Sequence, residues 1–334
     1  MFSNVIGNQR SIKYFTEAAR EGKLAHAYII NGEKGSGKST LAEFIAEGLL
    51  CEKQGPLSAG PCGCCPACKK SRSGNHPDLI HVGHEKENVL TVGEIRDSLI
   101  ADIDIKPFYG PYKIYIIEDA QLMNDNAQNA LLKSIEEPPE YGIIFLLTEN
   151  EGSLLETVRS RCIRLDMEML SAEEIMQNIS AEGIPEEKLQ AAAAFSGGNL
   201  GRAKAVLSDE NLSALIGTMT DLLPNISNAD AALLYSKAAE IEKSEQADAI
   251  EIIRKWYRDV LFIKACGKGT GAESYFPAER AAEEKMARKM SYEDINEVLA
   301  ALDIAQRRLK ANVKSDAVFE TLFFALRRCA GGHA

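Results

Sequence analysis

Residues Gly32 to Thr40, GEKGSGKST, fit the pattern G-x-x-x-x-G-K-[ST], and they do so between the apolar run AYIIN and the amphipathic stretch KSTLAEFIAEGLL. That order of strand, glycine loop and helix is the context in which the pattern has a mechanism. Glycines at 32, 35 and 37 let the loop curl until its backbone N–H groups surround a β-phosphate, with the positive end of the following helix behind them. Lys38 then reaches the β- and γ-phosphates, and Ser39, followed by Thr40, meets the phosphate-bound Mg²⁺. The ligand class is ATP or another nucleoside triphosphate.

A second stretch, YIIEDAQLM at 115–123, is an apolar run that ends in Glu118 and Asp119. In P-loop ATPases this strand end usually delivers Asp first, as a partner of Mg²⁺, and then Glu, as the base that aligns the attacking water. Here the order is inverted. Asp is one methylene shorter than Glu, so the carboxylate of Asp119 sits back by roughly 1 to 1.5 Å, and misplacement on that scale costs about 10²-fold in rate. Nucleotide binding survives such a change, whereas hydrolysis suffers. The plainer alternative is a pair of solvated acids capping the next helix.

With 334 residues, 45% of them hydrophobic and 26% charged, the chain is too long for one core and points to two or three soluble domains. Its net charge of −11 excludes a surface that coats nucleic acid on every side, so DNA contact must be local or made by partners. No run approaches the roughly 18 apolar residues of a membrane span, and MFSNVIGNQRSIKYF lacks the apolar centre of a signal peptide. The expected compartment is the cytosol. There, the cysteines of CEKQGPLSAGPCGCCPACKK read as a metal site before they read as disulfides. Cys62, Cys65 and Cys68 repeat at C-x₂-C-x₂-C, and Cys51 returns across a Gly/Pro-rich loop, a set that suits closed, tetrahedral Zn²⁺. Free thiols or redox chemistry are the alternative. Cys64 is the spare and can replace a neighbour, so the quartet is less fixed than the site. Cys162, Cys266 and Cys329 read as small apolar residues.

From residue 8 to 165, the runs HAYII, LIHV, KIYII, IIFLL and CIRL read as strands of a parallel sheet buried on both faces. KSTLAEFIAEGLL, TVGEIRDSLIADI and NDNAQNALLKSIEE read as helices between them, the second capped by Thr91 and the third stopped by Pro138 and Pro139. This first part is α/β. From Ser171 onward there is no convincing strand. SAEEIMQNISAEG, PEEKLQAAAAFSGG and NLGRAKAVLS read as three short helices, followed by longer helical stretches at 209–223, 229–266, 279–310 and 314–329.

VIGNQ, the P-loop, a cysteine insertion directly after the P-loop helix, HPDL, NALLKSIEEPP, LLTENEGSLLETVRSRC and GGNLGRA occur in an order that resembles bacterial clamp-loader AAA+ subunits. The resemblance covers about the first 207 residues. Within that family the chain is similar to the delta-prime branch rather than the gamma/tau motor branch, on the grounds of the Glu-Asp order and a chain that stops after one helical collar. It departs from members with a decayed P-loop, since every P-loop residue is present, and its zinc loop is longer than usual. The resemblance implies three domains: a RecA-like nucleotide-binding domain at 1–167 with a zinc module at 51–68, a three-helix lid at 168–207, and a helical collar at 208–334. It implies ATP, Mg²⁺ and Zn²⁺ as cofactors. Arg161 of SRC would be an arginine finger acting in trans on a neighbouring subunit, Thr148 the polar sensor beside the γ-phosphate, and Arg202 the sensor of the lid. Val5, Ile6 and Gly7 would line the adenine pocket. The implied partners are gamma/tau and delta subunits in a hetero-pentamer, the sliding clamp, and primer-template DNA through the complex. No polymerase site is expected in this chain, and its own ATPase should be weak. Three other readings stay open: the gamma/tau-type motor ATPase, a self-contained P-loop ATPase or kinase outside replication, and an ATP-independent scaffold with a relic P-loop.

Overall fold

The computed structural model describes residues 5–53, 60–83, 89–179, 184–241, 246–267 and 274–331, so the middle of the loop between Cys51 and Cys62 lies outside the described residues. The chain divides into two compact units, Met1–Leu170 with Asn199–Gly201, and Ser171–Gly198 with Arg202–Ala334.

In the first unit the elements are α1 (Gln9–Glu21), β1 (Ala27–Asn31), α2 (Lys38–Leu49), α3 (Pro66–Arg72), β2 (Leu79–Val82), α4 (Val92–Ile95), β3 (Lys113–Ile117), α5 (Asp125–Glu136), β4 (Gly142–Thr148), α6 (Glu156–Arg159) and β5 (Ile163–Asp166). The strands form one parallel sheet in the order β2-β3-β4-β1-β5. The continuous apolar runs have a simple cause. Alternate residues of β1, β3 and β4 feed two different cores: Ile29, Tyr115 and Leu146 one face, Ile30, Ile116 and Phe145 the other. A strand buried on both faces has no room for polar alternation.

Local chemistry sets the helix ends. Thr91 caps α4 in a reciprocal box with Glu94. The 91–103 stretch then departs from a regular α-helix, continuing as a π-helical turn over Arg96–Ile100. Asn124 caps α5 through Ala127 N–H at 2.9 Å, and α5 ends at Glu136, just before the two prolines. Three helices are not legible in the sequence pattern. These are α1, closed by a left-handed Gly22, α3, which Cys65 caps by accepting from Cys68 N–H, and the single turn α6.

The second unit has helices and no strand among its described residues: α7 (Ala172–Asn178), α8 (Glu186–Ser196), α9 (Leu200–Ser208, whose first two residues group with the first unit), α10 (Glu210–Leu222), α11 (Ala231–Glu240), α12 (Gln246–Cys266), α13 (Arg280–Lys289), α14 (Tyr292–Lys310) and α15 (Ser315–Gly331). Its core is built on Trp256, Tyr257, Phe319 and Phe323. The expected 279–310 helix is two helices. Met290 leaves the helical region and Ser291 begins α14 with a capping box to Asp294. Likewise 229–266 comprises α11 and α12, with 242–245 between them outside the described residues. Among the described residues no helix is long and apolar enough to cross a membrane.

Candidate functional site: the P-loop edge and the cysteine quartet

β1 delivers the glycine loop at the C-terminal edge of the sheet. Gly35 and Gly37 take φ of 81° and 92°, the left-handed region that favours glycine, and α2 starts at Lys38. Gly32 donates its N–H to Thr148 O at 3.1 Å. A Cβ at Gly32 would lie 2.7 Å from Met167 Cγ, so a side chain there would collide with the strand end beside it. The loop is held from outside as well. Asn199 Nδ2 donates to Lys34 O at 2.8 Å, Gly201 N–H donates to Gly35 O at 3.1 Å, and a Cβ on Gly201 would meet that oxygen at 2.5 Å. Asn199, Gly201 and Met167 were not singled out from the sequence, where nothing in GGNLGR or LDMEM marks a contact with a loop so distant in the chain.

Lys38 Nζ donates to Gly32 O at 2.7 Å and Glu33 O at 2.9 Å, so the ammonium lies inside the loop's own curl. Burial lowers its pKa, and Glu149, Asp119 and Glu33 pull in the opposite direction. In the same loop, Ser36 Oγ is buried with no hydrogen-bond partner among the described residues. Ser39 and Thr40 follow in the first turn of α2, Ser39 half-buried and Thr40 exposed. An orphaned hydroxyl, a half-buried ammonium and a helix N-terminus behind left-handed glycines fit a polyphosphate.

The acids stand on the same edge. β4 lies between β1 and β3, with Asn31 level with Thr148 and Ile117 level with Leu146. Extending that register puts Glu118 and Asp119 level with Leu147 and Thr148. Thr148 is fully buried, and its Oγ1 accepts Asn150 N–H at 3.1 Å. Asp119 has φ 47° and accepts from Gln121 Nε2 at 2.9 Å. A left-handed backbone is several-fold easier for Asp than for Glu, which gives the inverted acid order a conformational reason. Val5, Ile6 and Gly7 lead into α1 near the exit of β5: Asn8 Oδ1 accepts Glu168 N–H at 2.9 Å, and a Cβ on Gly7 would meet Leu170 Cδ2 at 2.6 Å.

Arg161 is at the other end of the sheet. It precedes β5, whose first residue pairs with Tyr28, whereas the P-loop leaves β1 after Asn31. The strand rise separates the two rows by about 10 Å along the sheet. The guanidinium is half exposed, bound to Glu136 Oε1 at 2.8 Å and Thr157 O at 2.9 Å. Arg202 belongs to the second unit, where it pairs with Asp248 at 3.3 Å and Glu251 at 2.7 Å and faces the Phe195 ring at 5.2 Å.

The sulfurs of Cys51, Cys62, Cys65 and Cys68 all lie within 4.8 Å of one another. Cys51–Cys65 and Cys62–Cys68 are 4.0 and 3.9 Å apart. Four sulfurs each about 2.3 Å from one zinc ion stand roughly 3.8 Å apart, so the donor set fits Zn²⁺. Cys65 N–H and Cys68 N–H donate to Cys62 and Cys65 Sγ, both at 3.4 Å, and backbone donors pull the Cys62 thiol down to about 6. Cys64 is exposed, 3.6 Å from Cys62 and 3.5 Å from Lys53 Nζ, and stands outside the quartet. Cys329 is buried, and burial pushes the Cys162 thiol up to about 12, but Cys266 is exposed at the end of α12 and is not the apolar filler expected.

Residues 7–171 match the family described as DNA polymerase III, delta subunit. The chain is 37% identical over 179 residues to DNA polymerase III subunit delta' of Pseudomonas aeruginosa, covering 52% of this chain and 53% of that protein. It is 33% identical over 190 residues to DNA polymerase III subunit tau/gamma of Haemophilus influenzae, covering 56% of this chain and 27% of that one. The chain thus spans about a quarter to a half of the length of these curated relatives.

Proposed function

We propose that the chain is a member of the clamp-loader AAA+ family and serves as the delta-prime subunit of a DNA polymerase III clamp loader, binding ATP itself and lending Arg161 to a neighbour's nucleotide. The match of residues 7–171 to the DNA polymerase III delta family and the 37% identity to a delta' subunit support this reading. The observation that carries this reading is the position of Arg161, half exposed at the sheet edge opposite its own P-loop. An arginine there is badly placed to complete its own subunit's site and well placed to enter another's. Such fingers are worth ~10³ to 10⁵ in rate in other NTPases.

The working division is a nucleotide-binding domain at 1–167, a lid at 168–207 and a collar at 208–334. The P-loop backbone and Lys38 hold the β- and γ-phosphates, while Ser39 and Glu118 face the Mg²⁺ that neutralises them. Val5 and Ile6 border the base, Thr148 orders the edge beside the γ-phosphate, and Arg202 couples the lid to nucleotide state. Asp119 sits where water would be activated; its shorter side chain supports weak turnover by this subunit alone. Cys51, Cys62, Cys65 and Cys68 hold a structural zinc. Gamma/tau and delta subunits, the sliding clamp and, through the complex, primer-template DNA are the partners, in the cytoplasm.

A second reading, the gamma/tau motor, is favoured by the complete P-loop around Lys38. One experiment separates the two. Arg161→Ala should leave ATP affinity of the isolated chain unchanged and cut ATPase and clamp loading of the reconstituted complex by an order of magnitude or more, in line with finger magnitudes of ~10³ to 10⁵ diluted by the other sites. Full activity of the mutant complex, or equal turnover by the isolated chain, would favour the motor.

A further inference from the structure

Phe108 is 74% exposed and Tyr109 59% exposed, in the loop that leads into β3. Aromatic rings so far out in water usually sit on loose backbone, but these do not. Asp78 is fully buried and accepts Phe108 N–H at 2.6 Å with one oxygen and Tyr109 N–H at 2.8 Å with the other. The Tyr109 ring meets the buried His76 ring edge-on at 6.1 Å, and Lys70 Nζ of α3 lies 3.8 Å from its centroid. A buried carboxylate that uses both oxygens to fix the backbone beneath two outward rings prepares a surface for something outside the chain.

The charge around the rings narrows the choice. The segments 61–77 and 105–113 contain no Asp or Glu in a chain of net charge −11; the acids that flank them are Asp78, buried with both oxygens bonded to backbone, and Asp104, exposed beside Ile105. Of the cations in these segments, Arg72 is tied to Glu47 and Lys113 is buried against Asp102. That leaves Lys69 and Lys106 exposed and Lys70 against Tyr109. Rigid aromatic faces flanked by ammonium groups match a ligand with planar faces and regularly spaced anions. Bases stack on the rings while phosphates pair with the lysines. A duplex hides its base faces and offers only the phosphates.

We propose that the face formed by α3 and the loop 105–109 binds single-stranded nucleic acid, with Phe108 and Tyr109 as stacking platforms and Lys69, Lys70 and Lys106 as phosphate contacts. This binding does not depend on the delta-prime reading, because it concerns the isolated chain.

The test is fluorescence anisotropy of the zinc-replete full chain with a labelled oligothymidylate longer than the ~4 to 16 nucleotides that a single site of this kind covers. Binding should weaken as salt rises and exceed binding to a duplex of equal length. The double variant Phe108→Ala, Tyr109→Ala should lose about 10-fold or more in affinity, since each stacked base is worth ~1 to 3 kcal/mol. Lys70→Ala with Lys106→Ala should flatten the salt dependence by about 0.7 in log–log slope for each phosphate left without its lysine. Unchanged zinc content and melting temperature certify the fold of each variant. Absence of oligothymidylate binding at low salt, or wild-type affinity in both double variants, overturns the proposal. So does an aromatic variant that keeps the oligonucleotide but no longer co-assembles with partner subunits, which would make the face a protein-docking surface.

Discussion

Lys38 is the side chain through which the P-loop holds its own shape: its ammonium bonds two carbonyls of the loop. Nucleotide phosphates are better partners for a desolvated ammonium than carbonyls are, because charge-assisted bonds are roughly twice as strong. Lys38→Ala should therefore weaken ATP binding by about 10- to 100-fold, from a loss of ~1.5 to 3 kcal/mol per charged hydrogen bond, without unfolding the chain. Isothermal calorimetry and a melting curve check both halves. Glu283 is the other residue whose charge state matters. It is fully buried, Oε1 has no partner among the described residues, and Asp259 faces it, joined through Ser274. Burial first, then the Asp259 charge, raises its pKa from 4.5 to about 8, while Arg280 opposes and Glu279 adds to the rise. Between 4.5 and about 8 the folded state holds a proton that the unfolded state has released, so stability falls as pH rises through that window, and the loss is complete above about 8. Glu283→Gln should flatten this slope, raising the melting temperature relative to wild type near pH 8 and hardly changing it below 4.5. Equal pH slopes in the two proteins would contradict the assignment.

At the scale of elements, the cysteine knuckle has four clustered sulfurs and little apolar surface of its own. α3 is seven residues long and buries only Ala67 and Cys68, too little apolar surface to hold it alone. Cys68→Ser should release the zinc and lower the melting temperature, whereas Cys64→Ser should keep both, and elemental analysis of the two variants decides. The sequence disclosed the strands, the P-loop, both acids and the quartet because each carries its signal locally, as an apolar run, a glycine spacing or a C-x₂-C repeat. It did not disclose α3, whose helix begins inside the cysteine repeat with a cysteine as its cap. Nor did it disclose Met167, Asn199 and Gly201, whose roles exist only once the end of β5 and residues 199–201 are folded against a loop far away in the chain. The capping box of Ser291 and Asp294 was there to be read and was overridden by an unbroken apolar period on either side.

For the molecule as a whole, the P-loop and Arg161 act on different interfaces of an assembly if the delta-prime reading holds. Lys38→Ala and Arg161→Ala should then combine additively in the logarithm of the complex's ATPase rate, because residues with no shared partner couple by less than ~0.5 kcal/mol. A measured coupling larger than that would put both residues in one site.

The separation of these two features across the sheet also gives the chain a front and a back. If Arg161 acts in trans, contact between such subunits is head-to-tail, the kind of interface that closes into a ring or winds into a helix. An arc left unclosed then has unlike ends, one with an arginine that meets no nucleotide and one with a nucleotide that meets no arginine. A subunit that gives an arginine and hydrolyses poorly is suited to the first position of such an arc, where its own weak site costs the assembly nothing and the gap beyond it stays open.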